Sequence, residues 1–363
     1  MAASRQRAGS KSVQVQANTL IIGIDEKRAR EIVDESLSIA LENYSNDAET
    51  LAKARSERFG EKAIRRMVEE KALSALSDPA FQILLQEAQK SAASTEREPD
   101  YDLLSELMIH RFKSGDNRNI RAGVSRAVEI VDQISDEALL ALTLCHSLKN
   151  FIPNSGDMAL GLKTMDDLFG KLLYAEPPKD TEWIDHLDIL DAVRFSSSGG
   201  MRLLEEYWSI QLDGYLQKGI DINSENFKTA TNILSKNPDI AHFLAVSSLD
   251  NSYRKIYIRA KDAIKELIIS KVISSENGKT MMHTRKVTGD EVVILESIYD
   301  LYDDTKKMSQ DDFAKEIEKF QNLKKLRGWW NTLNEQAIQI TSVGRVLAQA
   351  NAQRVDNTIP SLD

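Results

Sequence analysis

The chain has 363 residues, of which 42% are hydrophobic, 28% charged and 6% aromatic; this is a globular composition and excludes a disordered or fibrous chain. At about 150 residues per domain the length predicts two or three domains, with enough core to need no metal or disulfide staple. Lys and Arg number 47 against 56 Asp and Glu, net −9, which argues against general nucleic-acid affinity, and the single cysteine, Cys145, excludes an intrachain disulfide and a thiolate-rich zinc site.

Residues 1–12, with Arg5, Arg7 and Lys11 and no apolar anchor, read as a disordered basic tail. Residues 13–24 read as a β arm. Val13, Val15 and Ala17 alternate with polar residues, and Leu20, Ile21 and Ile22 form an apolar, largely β-branched run. A short hairpin alone is marginal in water, so the arm lies on the helical body or a distant strand, or pairs with the same segment of another subunit. Residues 1–24 carry +3 and the remainder −12, which suits an arm reaching an acidic neighbour. Assembly as a homo-oligomer through Val13, Val15, Leu20, Ile21 and Ile22 is the expectation.

Asp25 is an N-cap for a helix to about Asn43, with Ile32, Val33, Leu37, Ala40 and Leu41 in one stripe. Further helices are expected over about 48–76 and 81–93, from an Asp100 cap through Phe112, and over 120–134. After an N-cap at Ser135, residues 139–151 are apolar round most of the circumference, the mark of a buried central helix. Helices follow over 157–173, 182–195, 201–218, 223–235, 238–245 and 252–273. Glu276-Asn277-Gly278-Lys279 is a turn, followed by a strand over 280–287 and a tract over 291–300 open to helix or strand, so a small β-hairpin is expected near 276–295. Ser309 opens a helix over 313–330, and a last apolar segment begins at Glu335.

The fold class is therefore mainly α: a multi-helix body with a short N-terminal β arm and one small hairpin. Ser196-Ser197-Ser198-Gly199-Gly200 divides a helical region over 25–195 from a second over 196–355, and residues 356–363 should fray. There is no fixed-period repeat and no βαβ alternation. No apolar run approaches the roughly 18 residues of a membrane span, and no apolar stretch of signal-peptide length follows the basic start. Low cysteine usage fits a reducing compartment, so a cytoplasmic protein is expected.

Catalytic motifs are absent from the sequence. His110, His146, His186, His242 and His283 are nowhere paired at i, i+3 or i+4, so no metal site, cofactor or catalytic residue is predicted. His186 sits among acidic residues and reads as part of a solvated face, and Cys145 lies in apolar surroundings and reads as core. Ser196–Gly200 superficially looks like a phosphate cradle but lacks the Lys-Ser/Thr of a P-loop and a preceding strand, so a hinge or tight connection is expected. The densest positive patch is Lys324, Lys325 and Arg327 beside Trp329 and Trp330. Cations with adjacent rings track a nucleic-acid backbone and stack bases, or hold a helix at a membrane surface; a solvated face with one tryptophan in the core gives the same pattern. Asp300, Asp303 and Asp304 are raw material for a magnesium site in a nuclease or hydrolase, although their spacing says only loop or helix end.

Four stretches carry a resemblance: VQVQANTLIIGIDEKRAREI, SDPAFQILLQEAQKSA, RAGVSRAVEIVDQISDEALLALTLCHSL and ITSVGRVLAQAN. Together, from about residue 13 to 351, they resemble an uncharacterised family of bacterial cytosolic proteins. The closing Ile340-Thr341-Ser342-Val343-Gly344 is similar to the ending of alpha-type abortive-infection proteins. The resemblance implies a context of bacterial defence against phage and supplies no catalytic residue. The function expected is a non-enzymatic oligomeric interaction protein of that defence, with a protein partner from a defence operon. An enzyme with a carboxylate or metal site, or a membrane-active effector at the Lys324–Trp330 patch, is the alternative.

Overall fold

The computed structural model describes residues 24–41, 46–115, 117–195, 199–274 and 280–360. The described chain is mainly α-helical, as the periodicity predicts. It divides into two compact units at Asp132–Gln133 and not at the Ser196–Gly200 break. Residues 193–195 and 338–340 pair as strands, which places that break inside the second unit. The tail 1–12 and the arm residues Val13, Val15, Leu20, Ile21 and Ile22 lie outside the described residues.

The first unit is built from α1 (Glu26–Ala40), α2 (Asn46–Glu69), α3 (Pro79–Ser94), α4 (Glu98–Lys113) and α5 (Arg118–Glu129). Asp25 caps α1, its side chain accepting from the Arg28 amide at 2.8 Å, and Ile32, Val33, Leu37 and Ala40 are buried along one stripe. Gln89 of α3 ties three helices together: its Nε2 donates to Val33 O at 3.0 Å, and its carbonyl accepts from Ser56 Oγ at 3.0 Å. α2 stops at Glu69, ahead of Lys71 at φ 56°, and does not run on to residue 76. Asp100 is not the cap of α4. It lies inside the first turn, buried, and accepts from Thr95 Oγ1 at 2.6 Å and Arg97 Nε at 2.9 Å.

The second unit opens with α6 (Asp136–Asn150), α7 (Met158–Leu172), α8 (Glu182–Ile189), β1 (Val193–Phe195), α9 (Leu204–Gln211), α10 (Asp213–Leu216) and β2 (Ile220–Asp221). It continues through α11 (Glu225–Ser235), β3 (Leu244–Val246), β4 (Tyr253–Ile256), β5 (Ile268–Ser274), β6 (Thr280–Lys286) and α12 (Gly289–Tyr299). It closes with α13 (Gln310–Glu318), α14 (Gln321–Asn331), β7 (Ile338–Ile340) and α15 (Ser342–Val355). Ser135 caps α6 by accepting from Ala138 N at 3.2 Å, and every residue from Ala138 to Leu148 is buried, so α6 is the central helix. α15 packs along it. Polar pairs fix their register: His146 Nε2 meets Gln349 Oε1 at 3.0 Å, and Asn351 Nδ2 donates to Thr143 Oγ1 at 2.8 Å.

Several expected helices are shorter or are strands. The tract 252–273 forms β4, a 3-10 turn at Lys261–Glu266 and β5. Its isoleucines suit either structure, and pairing decides: β4 lies between β2 and β3 in an antiparallel sheet, and β5 pairs with β6 from Ile268↔Lys286 to Ser274↔Thr280. The hairpin thus starts earlier than residue 276. Residues 289–299 after it are helical behind a capping box, with Thr288 N donating to Glu291 Oε2 at 2.8 Å. The expected helix over 238–245 is a 3-10 turn and β3, and the one over 182–195 stops at Ile189 ahead of β1. The helix over 201–218 splits into α9 and α10. The helix over 313–330 splits into α13 and α14, because Asp166 of α7 caps α14 from outside, accepting from Asn322 N at 2.8 Å and Leu323 N at 3.2 Å. Residues 356–360 are pinned: Ile359 is buried, Gln353 Nε2 donates to its carbonyl at 2.9 Å, and Gln349 Nε2 donates to Pro360 O at 2.5 Å.

Candidate ligand site

The cationic patch of α14 sorts into two faces. Trp329 and Trp330 are buried, and their indole N–H groups donate to Pro178 O and Arg202 O, each at 2.9 Å. Neither ring is free to stack on a base. Arg327 is committed to Glu205 of α9, with Nη2 at 2.7 Å and Nε at 3.0 Å, and also to Glu318 at 2.5 Å. Burial raises the Glu205 carboxyl, but hydrogen bonds from Arg327 and Asn331 outweigh it and hold the group below its usual range. Lys325 reaches Glu176 at 2.6 Å, and Lys324 is exposed. Helical spacing therefore splits the patch: the rings and Arg327 build the core edge, and the two lysines face outward.

Trp330 nevertheless leads to a cavity that the sequence pattern does not reveal. The cavity measures about 350 Å³ and is lined in part by Lys149, Gly200, Arg202, Tyr207, Trp330 and Gln339. Lys149 sits in the last turn of α6, and its ammonium lies 5.6 Å from the centroid of the Trp330 ring. Tyr207 of α9 is half-buried, its ring centroid is 6.3 Å from that of Trp330, and its hydroxyl donates to Lys149 O at 3.3 Å.

The wall carrying Arg202 is held by hydrogen bonds from its backbone amides. Met201 N donates to Gln336 O at 3.1 Å, and Leu204 N to Asn331 Oδ1 at 2.9 Å. Glycine is required at Gly200, because a Cβ there would stand 1.9 Å from Asn334 O. Among the described residues no Asp or Glu lines the cavity. Among the described residues neither the Lys149 ammonium nor the Arg202 guanidinium pairs with a carboxylate, whereas Lys325 and Arg327 nearby are both paired. The site thus has two cationic residues in its lining without a carboxylate partner among the described residues, together with two aromatic rings.

The other sequence candidates are structural. Cys145 is buried, which pushes its thiol up to about 12. His146 is buried against Gln349 and Asn150, and burial lowers its imidazole. His186 Nε2 accepts from Ser135 N at 3.2 Å, beside the α6 cap. Asp300 pairs with Lys261 at 2.5 Å, Asp303 accepts from Thr305 N at 3.0 Å, and Asp304 accepts from Gln217 Nε2 at 2.9 Å, so the three carboxylates serve three separate contacts. Among the described residues no group of three or more His, Cys, Asp and Glu side chains is placed to hold a metal ion.

Sequence reasoning also missed Lys255. It is almost wholly buried, donates to Gly214 O at 2.7 Å and Gln217 O at 3.0 Å, and burial lowers its ammonium to about 8.

The Ile340–Gly344 segment is a joint. Ile340 pairs with Val193 across β7 and β1. Thr341 caps α15 by accepting from Gly344 N at 3.1 Å, while its own hydroxyl faces Asp191 O at 2.6 Å and Ala192 O at 3.0 Å. A Cβ on Gly344 would lie 2.0 Å from Ala192 O, so only glycine lets the helix start this close to the chain entering β1.

By fold the chain is a mainly α-helical protein, with three small antiparallel sheets among the described residues. A family model described as uncharacterised-like matches residues 23–361, and the chain belongs to that family. No curated protein and no solved structure matches it. No helix among the described residues is long and apolar enough to cross a membrane.

Proposed function

We propose that this chain is a non-enzymatic interaction protein of bacterial antiviral defence, acting in the cytoplasm, and that the cavity between Lys149, Arg202 and Tyr207 takes the small ligand that triggers it. The observation that carries the ligand part is that Lys149 and Arg202, neither paired with a carboxylate among the described residues, line one cavity with no Asp or Glu among its described lining residues. The defence context rests on the sequence resemblance, including the Ile340–Gly344 ending. Among the described residues that line it, the cavity offers cations and rings and no Ser, Cys, His, Asp or Glu, which supports recognition over turnover.

Assembly through residues 13–24 belongs to the same proposal, as does a partner protein from a defence operon. Plating efficiency of a phage panel on cells expressing this chain, against empty vector, tests the defence reading. A drop of several orders of magnitude supports it, with growth arrest pointing to abortive infection, and unchanged plating across the panel contradicts a self-sufficient defence protein. Deletion of residues 1–24 should yield smaller species in native mass measurement, and an unchanged mass would remove the arm from the assembly.

A further inference from the structure

We infer that the cavity at Lys149, Arg202 and Tyr207 binds a nucleoside monophosphate: a planar ring carrying one phosphate. This rests on reading the cavity as a ligand site and adds the chemistry of the occupant.

Charge gives the first constraint. Near the cavity Arg327 finds Glu205, Lys325 finds Glu176 and Lys171 finds Asp356, while Lys324, Arg345 and Arg354 have no carboxylate partner among the described residues. Lys149 and Arg202 find none among the described residues either, and these two line one cavity. Two like charges beside a partly enclosed cavity repel, and a dianion relieves both. A phosphate dianion matches two positive charges, and the flat fork of a guanidinium matches phosphate oxygens.

Size and shape give the second. About 350 Å³ is room for a small molecule and too little for a polymer segment with its flanks. The ring of Tyr207 lies in the lining, half-buried and tilted 35° to Trp330, while Lys149 stands over the Trp330 ring. A planar base beside Tyr207 leaves its phosphate within the field of the two cations, the division of labour seen wherever stacking and phosphate contacts are combined.

Rigidity gives the third. Gly200, Met201 and Leu204 are tied to residues 331–336 by close approach and hydrogen bonds, so the wall bearing Arg202 is built before a ligand arrives.

Titration calorimetry on the full chain tests this, with adenosine, guanosine, cytidine and uridine monophosphates, the matching nucleosides and inorganic phosphate as separate probes. The expected result is saturable binding of at least one monophosphate, one per chain, with its nucleoside and inorganic phosphate each about tenfold weaker or more. R202Q, at an exposed position, and K149A should each weaken that monophosphate by about tenfold or more. Overturning results are an absence of saturable binding by all four monophosphates, equal binding of inorganic phosphate alone, or affinity unchanged in R202Q. The defence reading fails separately, in the plating assay: protection without monophosphate binding sinks this inference and leaves that reading standing, and binding without protection does the reverse.

Discussion

Arg327 grips Glu205 through two hydrogen bonds, 2.7 Å from Nη2 and 3.0 Å from Nε, where the carboxylate is buried and the indoles of Trp329 and Trp330 are sunk into the core. A pattern that reads in sequence as a cationic, aromatic surface is thus largely a clasp between α9 and α14. Removing Arg327 strands a buried carboxylate with the Asn331 amide and a backbone N–H left to satisfy it. Arg327→Ala should cost about 2–4 kcal/mol, the lower end reflecting the partial exposure of the guanidinium. All four tryptophans, Trp183, Trp208, Trp329 and Trp330, lie in the second unit, so urea unfolding followed by tryptophan emission reads that unit alone. An unchanged midpoint would show that the clasp contributes nothing.

Gly344→Ala should be among the most damaging single-methyl additions in the chain. The new Cβ would meet a backbone carbonyl, Ala192 O, which cannot swing away as a side chain can. A loss of about 3 kcal/mol or more is expected in the same urea assay. Thr341→Val, which removes the cap and the hydroxyl bonds but adds no clash, should cost about 1–2 kcal/mol. Equal losses in the two variants would refute the steric argument.

Acid should weaken the C-terminal anchor. Hydrogen bonds from Lys171 and then Thr358 lower the Asp356 carboxyl from 3.8 to about 2. A carboxyl lowered on folding stabilises the fold above its unfolded value and loses that contribution as pH falls through the folded one. Asp356→Asn should therefore cost about 1–2 kcal/mol at pH 7, discounted for the exposure of Lys171, and the gap to the parent should close between pH 4 and pH 2. A gap constant down to pH 2 would assign the cost to packing instead.

The Cys145 thiol should be inert in the folded chain. It is buried and pushed up to about 12, so neither access nor thiolate is available at pH 8. A disulfide-exchange reagent should modify it only in denaturant, and rapid modification of the native protein would show that α6 is not the closed centre of its unit.

The helical scaffold was legible where the signals are local. Asp25, Ser135 and Ser309 cap helices as their types predict, and the continuous apolar tract after Ser135 is the buried centre of its unit. What failed needed distant partners. The isoleucines of 252–273 satisfy a helical stripe or a strand equally, and only β2, β3 and β6 choose between them. The division between α13 and α14 depends on Asp166, far back in the chain. The cavity is assembled from the end of α6, the approach to α9, the end of α14 and β7, so no spacing rule links Lys149 to Arg202 or Trp330. The one local trace was Gly199-Gly200, set aside for want of a P-loop lysine; Gly200 does wall the cavity, and the cations come from elsewhere.

The most direct measurement is phage plating on cells expressing the parent chain and the K149A/R202Q double variant at matched protein levels. A defence protein triggered through this cavity lowers plating by orders of magnitude in the parent and loses that protection in the double variant. Full protection by the double variant, or none by the parent across a broad panel, would contradict it.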